Sequence, residues 1–503
     1  MRKTILNLFG FLAISAVAVG QTTTPPPAAT TPAAATTPAA TTAPAAPAPP
    51  AEQKITVYGF VRNDVYVNSR RNLDLRDGVL GVYPLDATNL PIRTGTSLAN
   101  NLNDDLNAIP QMGYSAIITR LGVRFAGITA FGAKASGMLE TDFFGITNGA
   151  PSTSGGGTEN LLRLRHAYVD LDWGKTQLLV GQYWNPNFIL KCFPGTAHFA
   201  TGIPFNPFSF LPQVRLTHKF TPKVSLMGMV FGYDLAGFSP TGAFQSGTGV
   251  DAQKFSTLPS FAAQLGFEDK KLLAAIGLEG NTLRPRINDT QNPSTGVFGG
   301  VGAPNIQKNI KTNAFALNFL AFAKLTASKV TLKAYTNYGQ SYTQYVGLGG
   351  LAEYRDATSG AWNYVAQNQW NIWGELISTN SKKYQPAIFI GYLQNMGLGT
   401  AINRSNVLGT SLSFLGRGIS TASSRAFKNM IRVAPRLDIY SGKMKFAIEY
   451  EFSSMQWADI DGTVPDASGN LPTSTSFKAG TGALARPFNA INHRADLVVT
   501  YNF

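Results

Sequence analysis

An alternation of apolar and polar residues with a period of two begins at Lys54 and continues to the last residue, Phe503. In the first run, KITVYGFVRNDVYV, the positions Ile55, Val57 and Val61 share one side of an extended strand, because successive side chains of a strand point to opposite faces. The run exceeds the roughly 9 to 11 residues that a tilted strand needs to cross a bilayer. The pattern predicts an all-β protein built from amphipathic strands.

The final run, NHRADLVVTYNF, has the same two faces, with Leu497, Tyr501 and Phe503 on one side and Arg494 and Asp496 on the other. Such a strand is typical both of the edge of a soluble sandwich and of a wall between lipid and a watery lumen. The connections between the strands favour one of these alternatives.

Short turns and long loops alternate along the chain. The short turns are GITAFG, DWGK, FTPK, EDKK, TASK, NSKK and YSGK, and long loops rich in Gly, Ser, Asn and Pro separate them. The first long loop is predicted over residues 69–112. A soluble protein has no reason to place every long loop on one rim, whereas this division is typical of outer-membrane barrels. We therefore predict a transmembrane antiparallel β-barrel of about sixteen strands, with both ends on the short-turn, periplasmic side.

The composition agrees with a membrane barrel. Charged residues make up 14% of the chain, below the roughly 25% usual in soluble domains, while aromatic residues reach 11% and Gly numbers 50. After the first 20 residues no apolar run approaches the about 20 residues of a membrane-spanning helix, which excludes a polytopic helical protein. The formal net charge of +14 makes the chain basic.

Three segments follow from these patterns. Residues 1–20, with Arg2 and Lys3 before an apolar stretch, predict a signal peptide. Residues 21–53, almost wholly Thr, Pro and Ala, predict a disordered periplasmic tether, which is either an inert leader or a segment that spans the periplasm and contacts peptidoglycan. Residues 54–503 form the barrel. The single Cys192 excludes a disulfide framework and a thiolate metal site.

Motifs of soluble enzymes are absent. The four histidines show no metal-ligand spacing, and the chain has neither a phosphate-binding Gly-rich loop nor a Gly-x-Ser-x-Gly elbow. We predict no catalysis, no cofactor, no metal and no nucleic-acid partner. A hydrolase embedded in a barrel stays as an alternative, because it need not carry such motifs.

Charged residues are assigned to the lumen from the apolar row of each strand. The basic positions are Arg62, Arg120, Arg124, Arg163, Arg165, Arg215, Arg432, Arg436 and Arg494. The acidic positions are Glu140, Asp142, Glu449 and Glu451. Most of these arginines belong to strands that flank the closure of the barrel, so we expect them to share one wall.

Two roles for these charges are open. Guanidinium groups in a narrow aqueous channel concentrate anions, and Arg can hold a carboxylate through two parallel hydrogen bonds, which predicts pore-lining residues and a mild anion preference. The alternative is structural pairing across strands. If the YSGK turn pairs Tyr440 with Lys443, Arg432 lies opposite Glu451, and Glu140 and Asp142 neighbour the strand of Arg163.

The third long loop, residues 186–211, is nearly uncharged and rich in Phe and Pro. We predict that it folds into the lumen and constricts it, because an apolar loop gains by packing on the wall. The alternative is a subunit contact or a lipid-facing patch. The aromatic residues of the predicted constriction are Phe188, Phe193, Phe199, Phe205 and Phe208.

The order of several segments resembles Gram-negative outer-membrane porins, and most closely the DcaP-like trimeric porins. The segments are YGFVRND, ETDFFG, LRLRHAYVDLD, LLVGQYW, PQVRLTH, RVAPRLD, KFAIEYEF and NHRADLVVTYNF. The resemblance implies a sixteen-stranded homotrimer in the bacterial outer membrane that passes small anions, with dicarboxylates as a family expectation. The family's lumenal basic residues map onto Arg62, Arg120, Arg124, Arg163, Arg165, Arg215, Arg432 and Arg436. Some members carry an N-terminal coiled coil, which the Pro-rich tract here cannot form.

The predicted function is passive diffusion of small hydrophilic solutes through an outer-membrane porin that prefers anions. The alternative is a structural barrel that anchors the envelope through a tether bound to peptidoglycan.

Overall fold

The computed structural model describes most of the barrel. The described residues are 53–75, 78–88, 92–94, 97–99, 104–145, 160–199, 201–232, 249–291, 306–340, 345–400, 402–408, 413–420, 425–459, 476–477 and 488–503. The predicted signal peptide, residues 1–20, and the predicted tether, residues 21–53, lie outside this part of the chain except for Gln53. Their assignment stays a prediction.

Sixteen antiparallel strands follow one another around a closed sheet. In chain order they are β1 Lys54–Asn68, β2 Arg120–Ala130, β3 Ala133–Gly145, β4 Leu161–Asp172, β5 Thr176–Trp184, β6 Phe210–Lys219, β7 Val224–Phe231, β8 Ser260–Glu268, β9 Leu272–Leu283, β10 Ala314–Thr326, β11 Val330–Gln340, β12 Trp362–Ser378, β13 Tyr384–Leu398, β14 Arg425–Ser441, β15 Met444–Asp459 and β16 Phe488–Asn502. The predicted fold class is confirmed.

The barrel closes where β16 pairs with β1, from Phe60 opposite Asn502 to Asn68 opposite Arg494. The lower half of β1 pairs with β2, and its upper half pairs with an additional strand, Gln111–Ser115. Closure gives every spanning strand two partners, as hydrocarbon requires, because backbone groups there have no water to bind. The predicted end of the first long loop, residue 112, falls in this additional strand, which continues the wall beside β1 before β2 begins at Arg120.

Side chains of the apolar row face outward and are exposed. Val57 is 65% exposed, Leu162 62% and Leu497 47%, although all three are hydrophobic. The polar row faces inward, so the usual order of a soluble protein is reversed and the outer surface is suited to acyl chains.

Seven short turns join the strands at one rim and eight long loops join them at the other. The wall has unequal height: β5 to β8 contain 9, 10, 8 and 9 residues, whereas β12 to β16 contain 17, 15, 17, 16 and 15. The low side is where the third long loop begins.

The long loops contain short elements of their own. These are the helix α1 Gly249–Ser256, the paired strands Asn72–Leu75 and Leu80–Pro84, Ile92–Thr94 and Ser97–Ala99, Asn288–Gln291 and Ile306–Asn309, Gly349–Arg355 and Ser413–Arg417, Ile402–Asn403 and Ser476–Phe477, and the strand Ile419–Ser420. Among the described residues no helix is both long and apolar enough to span a bilayer.

An apolar core lies inside the barrel, formed by loops that enter it. Loop 1 (69–119), loop 3 (185–209) and loop 6 (341–361) each contribute buried side chains to one cluster with the inner wall. Leu80 of loop 1, Phe205 of loop 3 and Val346 of loop 6 have no exposed surface. The site is therefore the lumen, as these loops shape it.

Phe319 lies near the middle of β10 and is 53% exposed on the outer face. Replacing it with Arg is expected to lower the free energy of unfolding by about 2–4 kcal/mol, because a cation at mid-membrane depth loses its hydration. Guanidinium titration of protein folded into lipid vesicles measures this loss. The control is Gln177→Arg on the inner row, beside Asp170, where about 1 kcal/mol or less is expected. Equal losses in both variants would contradict the assignment of the faces.

Candidate functional site: the charged lumen

The arginines assigned to the lumen lie on the inner row of their strands. Those on β14, β16, β1, β2 and β4 belong to neighbouring strands on both sides of the closure, and β15 and β3 complete the wall between them. Arg165, Arg432 and Arg494 are almost completely buried, at 0, 3 and 2% exposure. They lie beneath the inserted loops rather than along an open passage.

One group of charges lies on β2, β3 and β4. The Arg163 guanidinium is 2.6 Å from the Asp142 carboxylate, and Arg165 lies 2.8 Å from Glu140 and 3.0 Å from Asp142. A β-bulge leaves Arg165 without a cross-strand partner. Glu140 pairs with His166 and the next residue, Thr141, pairs with Leu164, so Arg165 is skipped. The bulge turns both Arg165 and His166 toward the lumen, which strict alternation forbids.

A second group joins β11, β12, β14, β15, β16 and β1. Arg436 lies 3.0 Å from Glu375, 2.9 Å from Asp438 and 3.6 Å from Glu449. Six cations and six carboxylates form this group, so its formal charge is balanced. They are Arg62, Lys333, Arg432, Arg436, Lys445 and Arg494 with Asp64, Glu375, Asp438, Glu449, Glu451 and Asp496.

The expected position of Arg432 is wrong by two residues. It lies opposite Ser453, not Glu451, because the turn places Ser441 opposite Met444 and so shifts the register of the hairpin. The ion pair with Glu451 nevertheless forms diagonally, at 3.0 Å. A long side chain tolerates such a shift because diagonal neighbours remain within its reach.

The balanced group holds loop 3 against the wall. Both oxygens of Glu375 accept the Gly195 amide at 3.0 Å, and Glu449 accepts the amides of Ala197 at 2.9 Å and His198 at 3.1 Å. On the donor side, Arg432 reaches the carbonyl of Ile203 at 2.6 Å. Charges that the sequence suggests for selectivity therefore hold loop 3 in place.

The aromatic residues of loop 3 pack inward. Phe188 stacks on Trp184 at 3.8 Å between ring centroids and on Phe193 at 5.3 Å, and Phe199 and Phe208 lie 5.9 Å apart. Phe205 lies 6.2 Å from Phe389 of β13. The loop thus forms an apolar segment inside the barrel. It extends to the short-turn rim, where the Lys191 ammonium lies 2.7 Å from the Glu268 carboxylate.

Loop 1 also enters the lumen, which the pattern of polarity does not predict. Arg494 donates to the Gly78 carbonyl at 3.2 Å, and Arg432 donates to the Val82 carbonyl at 3.2 Å. The Gly81 amide donates to Nε2 of His198 at 3.1 Å, so Nδ1 of this imidazole carries the proton and donates to Glu451. Burial lowers the pKa of His198 in agreement with its neutral form. In the sequence, the feature that indicates the entry of loop 1 into the lumen is the apolar run VLGVY inside an otherwise polar loop.

Three arginines are less fully paired than the others. Arg124 is exposed to the lumen and lies 4.1 Å from the Tyr58 ring, and among the described residues it forms no ion pair. Arg120 joins the first group only through a long ion pair, 3.5 Å from Glu140, and within the described residues its Nε has no hydrogen-bond partner. Arg215 donates to the Trp184 carbonyl at 2.8 Å, and its Nε also has no partner in the part of the chain that the structure describes.

A cavity of about 220 Å³ lies beside them. It is lined by Tyr58, Phe60, Arg120, Arg124, Met138, Glu140, His166, Tyr183, Trp184 and Leu190. Leu190 belongs to loop 3, so the cavity lies between this loop and the β1–β5 wall. No group of three or more His, Cys, Asp or Glu in the described part of the chain is arranged to hold a metal.

No protein-family model and no curated protein sequence matches the chain. Among solved structures, the outer membrane channel DcaP of Acinetobacter baumannii matches 90% of this chain and 97% of its own, with a TM-score of 0.52 and 14% identity. The chain has the fold of an outer-membrane channel. The resemblance to DcaP-like porins is thus confirmed as a likeness of fold, and the barrel with its apolar belt confirms the outer membrane as its location.

Two other solved structures have lower TM-scores. OmpT, an outer membrane protein of Vibrio cholerae, has 7% identity and a TM-score of 0.45, covering 90% of this chain and 98% of its own. OmpF of Salmonella typhi has 10% identity and a TM-score of 0.38, covering 89 and 97%.

Glu449→Gln is expected to accelerate amide exchange at Ala197 and His198 by about tenfold to a hundredfold, because hydrogen bonds to a charged acceptor contribute about 1.5–3 kcal/mol. Hydrogen–deuterium exchange of loop 3 measures the change. Asp170→Asn is the matched control, since this inner-row carboxylate binds Gln177 instead of loop 3. Unchanged exchange in the Glu449 variant would show that the loop is held without this carboxylate.

Loop 1 is expected to dock more weakly as the pH rises. Burial raises the pKa of Asp74 to about 6 against the opposing effect of Arg494, with Glu451 and Arg71 as the other charges nearby. Because the folded-state pKa is raised, the contribution of Asp74 is complete below about pH 4 and is lost as the pH rises through about 6. Protection factors of the amides of residues 79–83 test this between about pH 5 and pH 7.5. Asp74→Asn is expected to reduce the dependence, and substitution of the exposed Asp104 is expected to leave it unchanged.

Proposed function

We propose that the protein is a passive diffusion channel of the outer membrane that prefers small hydrophilic anions, carboxylates among them. The observation that carries the proposal is the group of Arg120, Arg124 and Arg215 beside a lumenal cavity. The likeness of fold to an outer-membrane channel supports diffusion in general, and the local charge supports the preference for anions.

The charge of the lumen is uneven. The group on β11 to β1 has equal numbers of cations and carboxylates, and we assign it the role of a scaffold. On the inner row of β2 to β6 seven cations face four carboxylates, so this sector is positive. They are Arg120, Arg124, Lys134, Arg163, Arg165, Arg215 and Lys219 with Glu140, Asp142, Asp170 and Asp172. Anions would therefore pass along the β2–β6 side.

The setting of two of these arginines suits carboxylates. Arg124 lies over Tyr58 at 4.1 Å and Arg120 lies over Phe60 at 4.9 Å, so an aromatic ring supports one face of each guanidinium. Stacking leaves the in-plane N–H groups available, and these match the two oxygens of a carboxylate. The apolar segment of loop 3 limits the size of solute that can reach these two arginines.

Assembly and anchoring remain proposals. Trimer formation rests on the resemblance of the sequence segments to trimeric porins. An anchoring role would rest on residues 21–53, and deletion of residues 22–50 separates the two functions: a channel keeps its conductance, whereas an anchor loses its envelope phenotype.

The variant Arg120→Gln/Arg124→Gln/Arg215→Gln is expected to lower the anion-to-cation permeability ratio about three- to tenfold, because removing nearby unit charges changes the energy of a confined ion by roughly 1 kcal/mol. Reversal potentials in a salt gradient across planar bilayers measure the ratio.

The control is Arg62→Gln/Asp64→Asn, which removes one charge of each sign from an existing ion pair. Its permeability ratio is expected to match that of the unaltered protein. Cation preference in the unaltered protein would overturn the proposed selectivity.

A further inference from the structure

Lysine recurs at one equivalent position at the start of every ascending strand, meaning each strand that leaves the short-turn rim. It is the first residue of β1, the second of β3, and the residue just before each of the others. The eight residues are Lys54, Lys134, Lys175, Lys223, Lys271, Lys329, Lys383 and Lys443. All eight are exposed.

Backbone hydrogen bonds show that most of these positions are structurally equivalent. In six hairpins the lysine carbonyl accepts an amide from the end of the next descending strand, at 2.7–2.9 Å. The accepting residues are Lys175, Lys223, Lys271, Lys329, Lys383 and Lys443, and the donors are Lys219, Glu268, Thr326, Thr379, Tyr440 and Asn502. The lysines are thus fixed at one height around the rim.

Their position in the alternation places them on the lumenal row. Lys329 precedes Val330 and Lys383 precedes Tyr384, and both following residues belong to the exposed outer row, at 41 and 49%. Neighbouring strands lie about 4.8 Å apart, so lysines on alternate strands are roughly 10 Å apart, close to the screening length at physiological salt. The fields of neighbouring lysines therefore overlap around the rim.

Few acidic groups oppose this ring. Asp172 lies opposite Lys134, Glu268 pairs with Lys191, and Asp269 lies 3.7 Å from Lys223. Within the described residues, the other ring lysines form no ion pair. Lys270 and Lys382 in two of the turns add further positive charge.

We propose that these eight lysines form an anion-collecting ring at the short-turn mouth, which binds soluble multivalent anions such as polyphosphates and polycarboxylates. The inference rests on the proposed channel function for its role, but the ring binds anions whether or not the barrel conducts. Lysine suits this task because its ammonium is a mobile point charge, whereas the planar arginines are fixed in the wall.

Lipid phosphate has the same chemistry as a soluble polyanion, and two ring lysines lie near outer aromatic groups. Lys223 is 5.9 Å from the Phe267 ring and Lys383 is 5.1 Å from the Tyr384 ring. All eight lysines occupy the lumenal row, which favours a soluble anion as the ligand. The experiment compares soluble polyanion with lipid phosphate.

The test uses the full chain in planar bilayers of neutral lipid at low salt, with tripolyphosphate added to one side at a time. Block is expected from the short-turn side only. Substituting all eight lysines by Gln is expected to raise the half-blocking concentration at least about tenfold, because overlapping fields of several like charges set the local anion concentration. Two variants of four alternating substitutions, Lys54, Lys175, Lys271 and Lys383 or the remaining four, should each produce an intermediate shift if the full set impairs folding.

The matched control is Lys308→Gln/Lys311→Gln, which removes two exposed lysines of a long loop and should leave the block unchanged. Block that is unaltered by the ring substitutions overturns the proposal. The proposal is also overturned if tripolyphosphate binds in neutral bilayers but is displaced when anionic phospholipid is included, because lipid is then the ligand of the ring. If no conductance is found, the channel function fails, and equilibrium dialysis of tripolyphosphate with the detergent-solubilised protein and its variants still decides the ring.

Discussion

Closure of the sheet between β16 and β1 is the constraint on which the rest of this structure depends. An unpaired backbone group in hydrocarbon costs several kcal/mol, so sixteen strands must each find two partners before any side chain matters. Once the sheet is closed, the period of two divides every strand between lipid and lumen. Hydrophobic Val57 and Leu497 are then stably exposed, and charged residues such as Arg436 must lie inside.

The interior cannot be organised as an ordinary hydrophobic core, because the polar row of each strand faces it. Loops 1 and 3 cover that wall with apolar side chains, while the carboxylates of Glu375 and Glu449 and the guanidinium of Arg432 bind their backbones. A buried charge that lost its partner would be strongly destabilising, so the balanced group fixes the loops as well as itself. Most of the lumenal arginines are consequently structural.

The cations proposed to act on solutes lie apart from the balanced group that holds the loops. Arg120, Arg124 and Arg215 lie at or near the cavity between loop 3 and the wall, and the lysines lie at the open rim. Arginine occurs where a planar donor can bind several acceptors at once, and lysine occurs where a hydrated charge must move in solvent. In the proposed channel, the two cation types thus have different places along the path of an anion.

The sequence by itself determined the barrel, the two faces of its strands, the alternation of turns and loops, and the inward course of Phe188 and Phe205, because each depends on a local pattern of polarity. Only the tertiary structure decided which charges meet. The bulge at Arg165, the diagonal contact of Arg432 with Glu451 and the entry of Leu80 into the lumen depend on register across a hairpin or on docking of distant loops. A shift of two residues leaves the alternation unchanged but gives every side chain a new partner, which is why the pattern predicts faces and not pairs.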